Sequence, residues 1–222
     1  MTHSRKIDLQ IDYWNQIGPT KSFAHPVNLE QFSRWVSFTS RILDYGCGYG
    51  RALGFLYANG YTNLTGVDPA PAMIASALQS FPTISFYTLA EDQKVNLPSA
   101  SIDAVLLFSV LTCVPTNEGQ REILSEISRL LRPGGVLYIS DMFLQTDSRN
   151  VERYIRDVKK YGIYGIFDLR EGATVRHHER GWIETLTKDF ETLALGEISV
   201  QTMNDHPATA FQWFGRKSLG ST

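Results

Sequence analysis

The chain has 222 residues, 43% of them apolar and 20% charged, which is enough for one sizeable domain around a single core. Its 21 basic and 23 acidic side chains leave a net charge of −2. That balance, a pI near 6.2 and the lack of any Lys/Arg block longer than two residues speak against the basic footprint of a nucleic-acid binder.

Cys47 and Cys113 lie far apart with no paired spacing, which suits a reducing compartment better than a disulfide framework. The N-terminal stretch MTHSRKIDLQIDYW is polar, and no apolar run approaches the ~20 residues of a membrane span. A soluble, cytoplasmic protein is the expectation.

Residues 1–40 read as partly helical, with Tyr13, Trp14 and Ile17 as a small apolar set. GPTKSFAHPVN reads as a loop, because its Gly and Pro residues break regular structure. Asn28 is placed to cap a helix that carries Leu29, Phe32, Trp35 and Val36 on one face.

From Arg41 the pattern alternates. Residues 42–44 read as a strand, 52–58 as a helix stopped at Asn59-Gly60, and 64–67 as a second strand. Pro71 opens a helix to about Gln79, in a first-turn position where its missing N–H does no harm. Residues 84–87 form a third strand, and the apolar run IDAVLLF, 102–108, a fourth that is buried on both faces. Residues 118–131 put Ile123, Ile127, Leu130 and Leu131 on one helical stripe that ends at Pro133-Gly134-Gly135, before a fifth strand at 136–140. This order predicts a parallel sheet with right-handed crossovers. SRNVERYIRDVKKYG and ERGWIETLTKDF read as helices. TLALGEISVQTM and TAFQWFGRK read as two strands around the turn NDHP, an antiparallel pair at one sheet edge.

The stretch ILDYGCGYGR, residues 42–51, places Gly46, Gly48 and Gly50 in the first strand-to-helix turn, where open parallel sheets bind ligands. The dinucleotide pattern G-x-G-x-x-G/A is not met. Counted from Gly46 it fails at Arg51, and from Gly48 at Leu53. Carboxylates gather at the same edge: Asp44 after the first strand, Asp68 after the second, and Glu91 and Asp92 after the third. With no Lys near the turn, a pyrophosphate is poorly matched to that field and a cationic nucleoside well matched.

Four segments in order, ILDYGCGYG, GVDPAPAMIASA, LPSASIDAVLLFSVLTCVP and LLRPGGVLYISD, resemble the motifs of the class I S-adenosylmethionine-dependent methyltransferases of small-molecule type. The resemblance covers roughly residues 40–142. It implies a three-layer, Rossmann-like, seven-stranded and mostly parallel sheet with an antiparallel last strand. The implied domain is 41–222, preceded by a helical lid at 1–40 and carrying a substrate-side insertion at about 142–180. It implies S-adenosylmethionine as cofactor, with Gly46, Gly48 and Gly50 at its methionine part, Asp68 at the ribose, and the Glu91/Asp92 region at the adenine. Asp44, Pro69 and Phe108 complete the expected cofactor set. Asp44 also has the alternative of capping the glycine turn through backbone N–H groups.

The family's frequent Gly-Asp before the adenine segment is absent, and Thr112 and Cys113 stand where many members have paired His. No base is therefore assigned. His206, His25 and Tyr13 are the candidates, the first in a turn on the cofactor edge if the sixth strand runs parallel. His177-His178 diverge on any regular backbone, so no metal is expected.

The expected partner is a small methyl acceptor, with neither nucleic acid nor membrane. Its walls come from residues 1–28, 142–180 and 203–207, and one arginine among Arg149, Arg153, Arg156, Arg170 and Arg176 is available to clamp a carboxylate or phosphate. Two alternatives stay open: a cofactor-binding module without catalysis, and a nicotinamide-dependent oxidoreductase.

Overall fold

A computed structural model gives the fold and describes residues 8–90 and 92–219. The N-terminal segment carries α1 (Ile11–Gln16), a 3-10 turn (Gly18–Thr20) and α2 (Leu29–Ser33). The alternating region holds β1 (Ile42–Tyr45), α3 (Arg51–Ala58), β2 (Leu64–Asp68), α4 (Pro71–Ser80), β3 (Ser85–Thr88), β4 (Ile102–Phe108), α5 (Asn117–Leu130) and β5 (Leu131–Met142). Then come α6 (Ser148–Tyr161), β6 (Ile166–Asp168), β7 (Thr174–Arg176), α7 (Arg180–Leu186), β8 (Phe190–Gln201) and β9 (Pro207–Lys217).

Seven strands form one sheet in the order β3-β2-β1-β4-β5-β9-β8. β1 to β5 pair in parallel, and β9 runs antiparallel to both β5 and β8. β8 therefore runs with the parallel set, and the turn before β9 lies at the carboxyl edge of the sheet. Strand order reverses between β1 and β4, which opens a crevice at that edge.

The central strands β1, β2 and β4 are buried on both faces because helices cover both, whereas the edge strands β3 and β8 are largely exposed. Leu43, Val105, Leu107 and Ile139 pack with Ile123, Ile127 and Leu130 of α5 and Ile183 of α7. The alternate residues Ile42, Ala104, Leu106 and Tyr138 pack with Phe32, Leu53, Leu56 and Ile74 from α2, α3 and α4. Each such aliphatic burial stabilises by roughly 1.5–3 kcal/mol. A third apolar cluster joins Tyr13 and Trp14 of α1 to Met73, Tyr154, Phe167 and Val175 above the carboxyl edge. Among the described residues no helix is long and apolar enough to cross a membrane.

Asn28 caps α2, its side chain accepting from the Gln31 amide at 3.1 Å. α2 nevertheless stops at Ser33, short of the expected face through Val36. The expected end of α5 also moves. Leu131 is already extended and pairs with Ile102, while Pro133-Gly134-Gly135 loops out of the ladder before Val136 pairs with Ala104. Gly134, at φ +74°, makes that loop possible. The ribbon β6–β7 within 142–180 was not foreseen. Its strands are three residues each, too short to show a period.

Candidate functional site

Every side chain of β1 is buried, so the chain leaves the sheet at Tyr45 in a crowded place. It turns back through Gly46, Gly48 and Gly50, at φ +76°, +55° and +82°, which other residues rarely adopt. A Cβ on Gly46 would meet Val110 Cγ2 at 2.4 Å. The Gly46 and Cys47 amides donate to Val67 O at 2.8 and 3.0 Å, the Gly48 amide to Asp68 Oδ2 at 2.9 Å, and the Gly50 amide to Cys47 O at 3.0 Å. Four amides of the turn are thus used inside the protein, whereas a phosphate cradle needs such groups free.

The two aspartates beside this turn are in different situations. Asp68 takes the Gly48 amide on one oxygen and the Ala70 amide on the other, both at 2.9 Å, and so staples the turn to the end of β2. Asp44 is 2% exposed, and its Oδ1 is buried with no hydrogen-bond partner. The turn-capping part considered for Asp44 is filled by Asp68. Burial pushes Asp44 up to about 7, opposed by the Arg51 charge and helped by Asp68. Burial also raises Asp68 to about 6, against the two amides that favour its charged form.

A solvent-open cavity lies against the turn. Asp44, Gly46, Gly48, Asp68, Pro69 and Phe108 all line it. Gly50 does not; it faces Phe86, whose ring a Cβ would meet at 2.7 Å, and so serves the packing of α3. Asp92 is exposed and accepts from the Lys94 amide at 3.1 Å. The wall on that side is Gln93, at φ +57°, whose carbonyl accepts from Tyr45 Oη at 2.8 Å. Glu91 lies outside the described residues. Gln93 was missed because a left-handed non-Gly residue carries no sequence signal. Asp8, also in the wall, was missed because its partner Thr116 is 108 residues away.

A second cavity adjoins the first, and Trp14, Phe23, Ser109 and Cys113 stand in the walls of both. It is closed by the N-terminal segment, by α6 with the β6–β7 ribbon, and by the turn before β9. Gln10 ties the first of these down. Its amide group donates to Cys113 O and Thr174 O at 2.9 and 2.8 Å and accepts from the Thr174 amide at 2.7 Å.

His25 lines this second cavity with Nδ1 2.9 Å from Ser140 Oγ, and burial, with Arg51 nearby, lowers it to about 4. His206 lines it from the exposed turn. Tyr13 lines neither cavity; its hydroxyl donates to Glu171 at 3.3 Å, and burial raises its pKa. His177 and His178 do diverge: His177 Nδ1 meets Tyr154 Oη at 2.5 Å, while His178 Nε2 meets Gln120 at 2.9 Å.

Of the five arginines named as candidates in the insertion, Arg149 and Arg153 line the second cavity. Arg156 pairs with Asp157 at 2.6 Å, and Arg176 packs over Trp182.

Residues 43–139 match the sequence model of a methyltransferase-domain family. The chain is 31% identical over 151 residues to the EEF1A lysine methyltransferase 4 of Mus musculus, covering 57% of this chain and 58% of that protein. It is 31% identical to the tRNA N(3)-cytidine methyltransferase METTL2 of Mus musculus, covering 68% and 40%. It is 29% identical to a ubiquinone biosynthesis O-methyltransferase of Xanthomonas oryzae pv. oryzae, covering 59% and 56%. The chain thus spans about half the length of the curated relatives it matches. In fold it is similar to a SAM-dependent methyltransferase structure from Methanosarcina mazei, with TM-score 0.80 and 21% identity over 88% of this chain and 99% of that one.

Proposed function

We propose that the chain is a class I S-adenosylmethionine-dependent methyltransferase that binds its cofactor in the cavity against the glycine turn and methylates a small molecule held in the adjoining one. The observation that carries this reading is the contiguity of two unlike cavities, one with Asp8, Asp44 and Asp68 in its wall and the other with no acid among its described lining residues but with Trp14, Phe23, Phe167, Arg149 and Arg153. The residues present fit the cofactor. Asp44 Oδ1 is a buried acceptor with no donor, and a cationic group satisfies it. The glycines leave main chain bare where a ligand lies against it, and four amides of the turn, those of Gly46, Cys47, Gly48 and Gly50, are bonded within the protein and not available to a pyrophosphate. That last point disfavours a nicotinamide dinucleotide.

When bound, S-adenosylmethionine supplies an electrophilic methyl group on a positively charged sulfur. The rest is positioning. On this reading Asp44 takes the amino acid's ammonium, Asp68 accepts from ribose hydroxyls with lone pairs its two amides leave free, and Gln93 and Phe108 flank the base. Trp14, Phe23 and Cys113 form the boundary at which acceptor and donor meet, and the N-terminal segment excludes water there. His25 is neutral near pH 7 and Tyr13 is committed to Glu171, so neither is set up as a strong base. An acceptor whose nucleophilic atom is already deprotonated suits such a site.

Relatives named for protein and tRNA acceptors exist, and their acceptors are large. The second cavity is enclosed on three sides by this chain, which favours a small acceptor. Calorimetric titration with S-adenosylhomocysteine and with NAD tests the cofactor. Micromolar binding of the first alone is expected, and binding of NAD alone refutes the reading. Transfer of radiolabelled methyl to a metabolite extract, against tRNA and protein fractions, tests the acceptor class.

A further inference from the structure

The second cavity has a charge of its own. Among the described residues lining it there is no Asp or Glu, and there are two guanidinium groups, Arg149 and Arg153, one turn apart on α6. Two like charges at that spacing repel, so α6 is stabilised despite them. Neither is neutralised by a close acid. Arg149 Nε stands 3.9 Å from Asp147, a loose pair exposed at both ends. Arg153 donates through Nη2 to the neutral Asn150 Oδ1 at 2.5 Å, lies with its guanidinium carbon 4.1 Å from the centre of the Phe167 ring, and keeps Nε buried with no partner. A half-buried cation with an unused donor is costly unless an anion completes it. Of the nearby acids and bases, Lys21 is taken by Glu171 at 2.5 Å and Asp141 by the amides of Thr112 and Met142, while His25, bonded to Ser140, and His206 also line the cavity. His177, held neutral by its burial and by Arg153, adds no charge. Met142, Phe167 and Val175 supply an apolar wall beside the arginines.

We propose that the acceptor carries an oxyanion, a carboxylate or a phosphate, and that the guanidinium groups of Arg149 and Arg153 seat it in the second cavity. The proposal rests on the first cavity being the cofactor site, and it makes the two arginines specificity-determining residues. The planar fork of a guanidinium matches either anion in a two-bonded pairing, so charge and shape are recognised together. The two cavities then carry opposite fields, acidic toward the cofactor's cation and basic toward the acceptor's anion.

The test is an NMR titration of the full-length, ¹⁵N-labelled chain saturated with S-adenosylhomocysteine. The probes are 4-hydroxybenzoate, phenyl phosphate and the neutral 4-hydroxybenzamide, each up to about 50 mM so that millimolar affinities register. The Nε–Hε signals of Arg149 and Arg153 are expected to shift saturably with at least one anion, the stronger of the two identifying the source, and not with the amide. In Arg149→Gln and Arg153→Gln the anion's affinity falls by about tenfold or more while S-adenosylhomocysteine affinity holds within about twofold. No saturable shift with either anion, or an equal response to the amide, overturns the proposal even if the Gln variants misfold, because both are read on the unaltered chain. Anion shifts in a chain that fails to bind S-adenosylhomocysteine would instead remove the cofactor reading and leave the anion site standing.

Discussion

Binding of the cofactor should expel a proton from the apo protein near neutral pH. Asp44 is buried with an unpartnered oxygen and titrates at about 7, and Asp68 at about 6, both raised by burial. At pH 6.5 the first is roughly three-quarters protonated and the second roughly one-quarter, so together they hold about one proton. The pair titrates jointly. An ammonium set against Asp44 pulls its pKa back toward the ordinary carboxylate value, and the proton leaves. The ligand's own α-amino group, with a pKa near 8, is already charged at that pH and contributes little of the opposite sign. The assay is calorimetric titration with S-adenosylhomocysteine at pH 6.5 in buffers of high and low ionisation enthalpy. The slope of observed enthalpy against buffer enthalpy should report release of about one proton, and in Asp44→Asn only about a quarter. A slope of zero, net uptake, or an Asp44→Asn variant that releases as many protons as the parent would refute the reasoning.

The same burial gives a stability signature. Asp44 has its folded pKa raised, so the stability it contributes is complete below about pH 4 and is lost as pH rises through 7, a loss on the order of 4 kcal/mol in the apo protein. His25 and His177, lowered to about 4 and about 3, act oppositely by losing stability as pH falls below about 6.5, so the parent's curve is mixed. The difference in melting temperature between Asp44→Asn and the parent isolates Asp44. It should move in the variant's favour between pH 5 and 8, and a pH-independent difference would count against the assignment.

Gly46→Ala should destabilise by about 1–3 kcal/mol and abolish cofactor binding, because φ is +76° and the new Cβ meets Val110; denaturant melts and calorimetry read both. Gln10→Ala removes three hydrogen bonds that anchor the N-terminal segment. Faster amide exchange over residues 10–20 should follow, with weaker cofactor binding and an unchanged sheet core. Tyr13→Phe should leave turnover within about threefold of the parent, since it removes only the long bond to Glu171; a hundredfold loss would make Tyr13 a base after all.

The sheet was legible because its strands are short, continuous apolar runs bounded by Gly, Pro and Asp, as in IDAVLLF, where the expected strand and β4 coincide. The last two strands announced themselves by the NDHP turn between apolar runs, and the parallel course of β8 does bring His206 to the carboxyl edge. What the chain could not disclose in one dimension was partnership. Asp44 and Asp68 look equivalent in the sequence, both Asp at the end of a strand, yet one is hydrogen-bonded on both oxygens and the other is not on Oδ1. Six arginines crowd the insertion. Only the packing of α6 against the β6–β7 ribbon distinguishes Arg149 and Arg153, at a cavity, from Arg156, which is bound by its neighbour Asp157. Gly50 belonged visibly to the glycine turn, but its small size serves Phe86 rather than the cavity.

The most direct measurement is difference electron density from crystals grown with S-adenosylhomocysteine. The account predicts the nucleoside beside Asp68 and Gln93, its ammonium at Asp44, and its sulfur facing the boundary formed by Trp14, Phe23 and Cys113. Density for the nucleoside in the arginine-lined chamber, or a phosphate-bearing coenzyme against the glycines, would contradict it.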